Sequence, residues 1–142
     1  MSEILQTCTI RVSFGDCDPA GIVYYPNHFR WFDATFHALL QRFGGHAAVS
    51  RKLGSIGIGL IEVGGAFRAP AEDGDALVLT ARLVEWREKT LRIAYEGRID
   101  DRLTVEGFEV RGLFTRENGR LRAGRMAPLR EMLEAGAGKA YA

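Results

Sequence analysis

Two aspartates, Asp16 and Asp18, flank a cysteine and lead into Pro19-Ala20-Gly21-Ile22-Val23-Tyr24-Tyr25-Pro26-Asn27. Pro26 suits a first helical position, where its missing N–H removes no hydrogen bond, and that makes Tyr25 the N-cap. The first turn of a helix carries backbone N–H groups without intrahelical acceptors, and the macrodipole adds partial positive charge there. Such a terminus can hold a carbonyl oxygen as it becomes an oxyanion. A carboxylate beside it can attack that carbonyl or deprotonate a water that does. Donor and carboxylate close together in sequence therefore suit acyl transfer without a triad. The same residues also have a plain structural use, because Asp before Pro-Ala-Gly makes turns and Asp ahead of a helix caps it. Asp16 is read in that second way, as a turn residue bonded to backbone amides. Cys17 reads as a small packed residue, since its flanking aspartates disfavour the thiolate and no sequence feature sets a His beside it.

Asp33 is the next charged residue of interest. On a helix it stands beside Phe29, Phe36 and His37 at spacings of four, three and four, close to the apolar stripe. A carboxylate there is costly unless something pairs with it, such as Arg30 or another basic residue. Other chemical signatures are missing. The sequence has no G-x-G-x-x-G after a strand, no G-x-x-x-x-G-K-[ST], no H-E-x-x-H and no G-x-S-x-G. His28, His37 and His46 lack the spacing of a helical metal pair, and C-x-x-C is absent. No metal and no organic cofactor is expected.

The elements that must position these residues follow from periodicity. Residues 6–14 alternate, with Cys8, Ile10, Val12 and Phe14 on one face, which predicts a strand with one side buried. From Pro26, an apolar stripe of Phe29, Phe32, Phe36, Leu39, Leu40 and Phe43 predicts the one long helix, stopped by Gly44-Gly45. Strands are predicted over 59–68, 76–86, 90–99 and 103–115, with turns at Asp100-Asp101 and Glu117-Asn118-Gly119. A short helix is expected over 128–134, followed by a frayed tail from Ala135. The passage Gly54-Ser55-Ile56-Gly57-Ile58-Gly59 is either a pocket wall against the long helix or a loop entering a strand. One strand, one long helix and four strands joined by short links predict an α+β domain over 1–142, a five-stranded antiparallel sheet wrapped around the helix.

Composition bounds what such a domain can do. The chain has 142 residues, 46% of them apolar, enough for one core without disulfides or metal. Its 19 Lys+Arg against 18 Asp+Glu leave a net charge of +1, which gives no electrostatic reason to expect nucleic acid or an anionic membrane as partner. Cys8 and Cys17 are too few for a disulfide scaffold, no secretory or lipidation signal is recognised, and residues 53–61 are too short for a membrane span. A cytoplasmic location is expected.

The run FGDCDPAGIVYYPNHFRWFD, residues 14–33, closely resembles the N-terminal signature of the 4-hydroxybenzoyl-CoA thioesterases. Glu85-Trp86-Arg87-Glu88-Lys89 resembles a second segment of that family, and the order of elements agrees with its hot-dog fold. The resemblance spans roughly residues 10–121 and implies hydrolysis of an aromatic acyl-CoA thioester to free acid and CoA. By position, it makes Asp18 the catalytic carboxylate, as nucleophile or general base, and Tyr25 the residue whose backbone N–H polarises the thioester carbonyl. It places Asp33 against a ring hydroxyl. Where the family has a threonine that also meets this hydroxyl, the alignment puts Ile58, so other aryl thioesters become as plausible as 4-hydroxybenzoyl. Arg87 and Lys89 match residues that contact the CoA phosphates, with Glu88 replacing a basic residue. The resemblance also implies a homodimer at least, and a homotetramer in its larger form, with active sites at the dimer seam. Two rivals stay open: a related thioesterase for short aliphatic acyl groups, and a non-catalytic hot-dog module that binds acyl-CoA.

Overall fold

The computed structural model describes residues 3–136. Among the described residues six strands are formed: β1 (Leu5–Arg11), β2 (Gly57–Phe67), β3 (Ala76–Trp86), β4 (Leu91–Ile99), β5 (Arg102–Glu117) and β6 (Arg120–Ala123). Three helices accompany them: α1 (Pro26–Gln41), α2 (His46–Lys52) and α3 (Ala127–Gly136). All pairings are antiparallel, in the order β1-β3-β4-β5-β2, with β6 added alongside β5. The short links read from the sequence are the reason. Asp100-Asp101 and Asn118-Gly119 are two-residue connections with positive φ at all four positions, the left-handed turn that matches strand twist.

Helix α1 starts at Pro26 as expected and ends where Gly44 and Gly45 turn left-handed at φ 101° and 98°. The Gly45 N–H returns to the Leu40 carbonyl at 2.9 Å, which satisfies one of the orphan acceptors at the helix end. Its stripe packs across one face of the sheet, where Phe32, Phe36, Leu39 and Leu40 are fully buried. Full burial of such side chains contributes roughly 1.5–3 kcal/mol each. The closest approach is at Gly107 in β5, where any Cβ would stand 2.6 Å from the Phe32 ring and 2.4 Å from the Gly64 carbonyl oxygen. Phe32 also stacks on Tyr95 of β4, ring centroids 4.4 Å apart. Helix and sheet thus come close together at this crossing.

Several expectations change. The sheet has a sixth strand, β6, because β4 pairs with β5 only as far as Arg111, and the chain returns after Asn118-Gly119 to pair with residues 114–117. A helix not expected from the sequence, α2, precedes the Gly-rich passage, and β2 begins within that passage at Gly57, packed against His46 of α2. The first strand stops at Arg11 rather than Phe14. Asp16 Oδ2 accepts from both the N–H and the hydroxyl of Ser13, at 2.9 and 3.0 Å, and this turns the chain and leaves Phe14 exposed. The last helix runs through Ala135 and Gly136, while the remainder of the tail lies outside the described residues. Among the described residues no helix is long and apolar enough to cross a membrane.

Candidate active site

The Asp16–Asp18 segment folds into a tight hairpin against the strand leading to α1. The Tyr24 N–H donates to the Asp16 carbonyl at 2.9 Å, Cys17 bridges Val23, and the Asp18 N–H donates to the Ile22 carbonyl at 2.9 Å. The hairpin closes at residues 18–21, where the Gly21 N–H reaches the Asp18 carbonyl at 2.9 Å and Gly21 adopts φ 83°. One oxygen of the Asp18 carboxylate, Oδ1, accepts from the Ala20 N–H at 2.8 Å, and the other has no partner among the described residues. Asp18 lines a hollow of about 340 Å3 with Phe14, Cys17, Pro19, Gly21 and Asp73.

The helix terminus presents a matching donor. Asn27 and His28 give their N–H groups back to the carbonyls of Tyr24 and Tyr25, at 2.9 and 3.1 Å, and Pro26 has none. That leaves the Tyr25 N–H without an acceptor among the described residues. Asn27 also ties the two strands together, its Nδ2 donating to the Asp16 carbonyl at 2.8 Å. Arg30 reaches Asp16 Oδ1 at 3.4 Å, so Asp16 serves the turn and Asp18 keeps an open oxygen. Burial, with the carboxylates of Asp73, Asp16 and Asp18, pushes the Cys17 thiol up, in keeping with its reading as a poor nucleophile.

Tyr25 opens an aromatic patch formed with Tyr24, Phe67 of β2 and His28. His28 is buried beside Trp31 and Phe67, and burial pushes its pKa down to about 4, so it is neutral at neutral pH.

Asp33 lies two turns further along α1 and is half-exposed. Its partner is not Arg30 but Arg111 of β5, whose Nη2 donates to Asp33 Oδ1 at 2.7 Å. His37 approaches the same oxygen at 3.4 Å. Ile58 is buried in the core, and its main chain meets this group from the other side. The Ile58 N–H donates to His46 Nε2 at 3.0 Å, and its carbonyl accepts from Arg111 Nη1 at 3.2 Å. Burial, then His37 and Arg111, push the His46 pKa down, which suits a ring nitrogen that accepts. Arg111 was not singled out in the sequence. The available signal was the period-two reading of β5, which puts Glu109 and Arg111 at core-facing positions between Gly107 and Leu113.

Arg87 and Lys89 stand exposed in the turn after β3, where Arg87 pairs with Glu85 at 2.8 Å. Arg87, Arg125 and Arg130 line a hollow of about 230 Å3 at the start of α3. A larger hollow of about 570 Å3, flanked by Arg82, Arg92, Glu96 and Glu106, opens on the outer face of the sheet and includes none of the three aspartates 16, 18 and 33. Among the described residues no cluster of His, Cys, Asp and Glu is arranged to hold a metal.

Residues 12–136 match the thioesterase-like superfamily. Over 124 residues the chain is 32% identical to 4-hydroxybenzoyl-CoA thioesterase from Pseudomonas sp. (strain CBS-3), covering 80% of this chain and 85% of that one. It is 27% identical over 101 residues to 1,4-dihydroxy-2-naphthoyl-CoA hydrolase from Prochlorococcus marinus (strain MIT 9303), 66% of this chain and 67% of that protein. A solved structure of an aspartate-to-asparagine mutant of 4-hydroxybenzoyl-CoA thioesterase, complexed with 4-hydroxybenzoyl-CoA, aligns with a TM-score of 0.81 at 27% identity, covering 91% of this chain and 97% of that one. With its antiparallel sheet crossed by one long helix, and a family match over most of its length, the chain belongs to the thioesterase-like superfamily, as an enzyme of the hot-dog thioesterase fold.

Proposed function

We propose that the protein hydrolyses an aromatic acyl-CoA thioester to the free acid and CoA. The observation that carries this is the open oxygen of Asp18 in a hairpin joined to a helix whose Tyr25 N–H is unspent. The thioester carbonyl oxygen takes the Tyr25 N–H, which strengthens as charge develops on that oxygen. Asp18 attacks the carbonyl carbon, the C–S bond breaks, and CoA leaves as thiolate to be protonated by solvent. Water then cleaves the resulting anhydride and returns the carboxylate. In the general-base route Asp18 instead takes a proton from the attacking water, and the products are the same. Neither route requires a metal or an organic cofactor.

At the other end of the acyl group, Asp33 receives a ring hydroxyl or amine on its half-exposed carboxylate, and Ile58 adds an apolar wall. Arg87 and Lys89 hold CoA phosphates as charge-assisted donors. Asp33 is eight residues beyond Tyr25, about 12 Å of helical rise. The family resemblance puts active sites at the dimer seam, and on that reading the carboxylate meeting the far end of the ring comes from a second copy of the chain. The edge strand β2 supplies the seam, since Leu60, Ile61 and Phe67 are exposed along it and its outer side is unpaired. A homodimer is the minimal active unit, and two dimers make the tetramer. The unpaired thiols of Cys8 and Cys17 suit the reducing cytoplasm.

Release of free CoA thiol from benzoyl-, 4-hydroxybenzoyl-, 2-aminobenzoyl-, acetyl- and hexanoyl-CoA tests the proposal. Fast aryl turnover that collapses in Asp18→Asn supports it. Preference for hexanoyl- or acetyl-CoA would overturn the aromatic assignment, and acyl-CoA binding without turnover would make the protein a binding module.

A further inference from the structure

The side chain that connects the two acyl-end candidates is Arg111, only 2% exposed. Its Nη2 holds Asp33 of α1 at 2.7 Å, and its Nη1 holds the Ile58 carbonyl of β2 at 3.2 Å. Its remaining donors grip Glu109 in a fork, Nε to Oε1 at 2.9 Å and Nη2 to Oε2 at 3.0 Å. The Tyr95 hydroxyl donates to Glu109 Oε1 at 2.6 Å, and the Phe36 ring lies 4.5 Å from the guanidinium carbon. Tyr95 in turn is clamped by its stack on Phe32. The Arg111 guanidinium is therefore held through Nε, Nη1 and Nη2 and by the Phe36 ring.

Two features point beyond stability. A buried ion pair is often no better for folding than apolar residues of the same volume, so its presence at core positions calls for another use. An acceptor is also left over. Arg111 and the His37 ring both meet Asp33 at Oδ1, while Oδ2 of this half-exposed carboxylate has no hydrogen bond among the described residues. A carboxylate oxygen left open favours a ligand that brings a hydrogen-bond donor and disfavours one that brings a carboxylate.

We propose that Arg111, braced by Glu109 and Tyr95, is a positioning residue that sets Asp33 to select aromatic acyl groups carrying a hydrogen-bond donor remote from the thioester. This rests on the thioesterase function proposed above and adds to it the residue that enforces the selection. Arg111 touches no reacting atom. It orients Asp33 Oδ1 so that Oδ2 is presented to the ring substituent, and it fixes the distance between α1 and β2 at that end.

The test compares kcat/KM for 4-hydroxybenzoyl-, 4-methoxybenzoyl- and benzoyl-CoA. A hydrogen bond to a charged group predicts a wild-type preference for the hydroxyl compound of about tenfold to a hundredfold, carried mainly by KM. Arg111→Lys and Arg111→Met should lose that preference to the level of Asp33→Asn, and Arg111→Met combined with Asp33→Asn should lose no more. A purely structural role for Arg111 would lower turnover of all three thioesters together and leave their ratio intact, which would overturn the inference. Glu109→Gln and Tyr95→Phe disturb the brace more gently and carry the same test if Arg111→Met does not fold. The wild-type substrate series needs no variant: equal turnover of the hydroxyl and methoxy compounds would overturn the inference while leaving the thioesterase function standing. No turnover of any thioester would overturn both.

Discussion

The two ends of the proposed acyl site are built in opposite ways. The Asp18–Tyr25 end is local and open: a hairpin of nine residues, three backbone bonds across it, and a helix terminus directly after. The Asp33–Arg111 end is long-range and closed. Its central bond joins residues 78 apart in sequence, and its anchors are Glu109, Tyr95 and the Phe32 stack inside the core. The open end has what reaction needs, an unspent donor and an unspent carboxylate oxygen that solvent and substrate can reach. The closed end has what discrimination needs, a charged group whose orientation the fold enforces. On the proposed roles, reactivity costs little stability, whereas selectivity is tied to the core.

Substitutions should separate the two. The largest effect is expected at the open end, where Asp18→Asn should lower kcat by about a thousandfold or more if the carboxylate is the nucleophile or base. Asparagine keeps an acceptor for the Ala20 N–H, so its unfolding free energy from urea melts should stay within about 0.5 kcal/mol of wild type. The same free energy measured for Arg111→Ala should fall by roughly 3–5 kcal/mol, because the Glu109 carboxylate is left buried without its cation. A wild-type-like stability for Arg111→Ala would break the contrast between the ends.

His28 joins the contrast at the base of the open end. Unfolded histidine titrates near 6.5, about the usual value, while burial holds His28 down to about 4 in the fold. Between those values the unfolded chain binds a proton that the fold refuses. Its contribution is therefore complete above about pH 6.5 and is lost as pH falls towards 4, up to about 3 kcal/mol. Urea melts at pH 7, 5.5 and 4.5 should show that decline, and His28→Phe should flatten it. The smallest effects belong to the exposed Arg87 and Lys89. Alanine at either should raise KM for acyl-CoA by about two- to fivefold with kcat unchanged, and the increase should shrink at high salt.

The geometry of the open end was legible because it is carried by neighbours in the chain. Pro26 sets the helix start, Asp18-Pro19-Ala20-Gly21 sets the turn, and the two together bring carboxylate and amide into one short stretch. The stripe from Phe29 to Phe43 and the paired turns at Asp100-Asp101 and Asn118-Gly119 likewise follow from periodicity and left-handed φ, so helix and strand order could be read directly. Phe14 was misplaced because alternation alone continues the strand, whereas the Ser13–Asp16 hydrogen bonds end it. The helix α2 escaped because His46–Lys52 lacks an apolar stripe long enough to show a period.

The sequence by itself determined the long helix, the order of the five main strands, the turn chemistry and the closeness of Asp18 to the helix start, since each depends on local pattern or on residues within a few positions of one another. Only the tertiary structure decided what Asp33 pairs with. A carboxylate near a buried stripe needs a cation, but several arginines could serve, and local spacing favours Arg30. The choice of Arg111 follows from strand register: β5 pairs with both β4 and β2, which puts Tyr95, Glu109, Arg111 and Ile58 in one layer beneath α1. Burial then does the rest, because a guanidinium removed from water must spend its donors on the groups that register has placed around it.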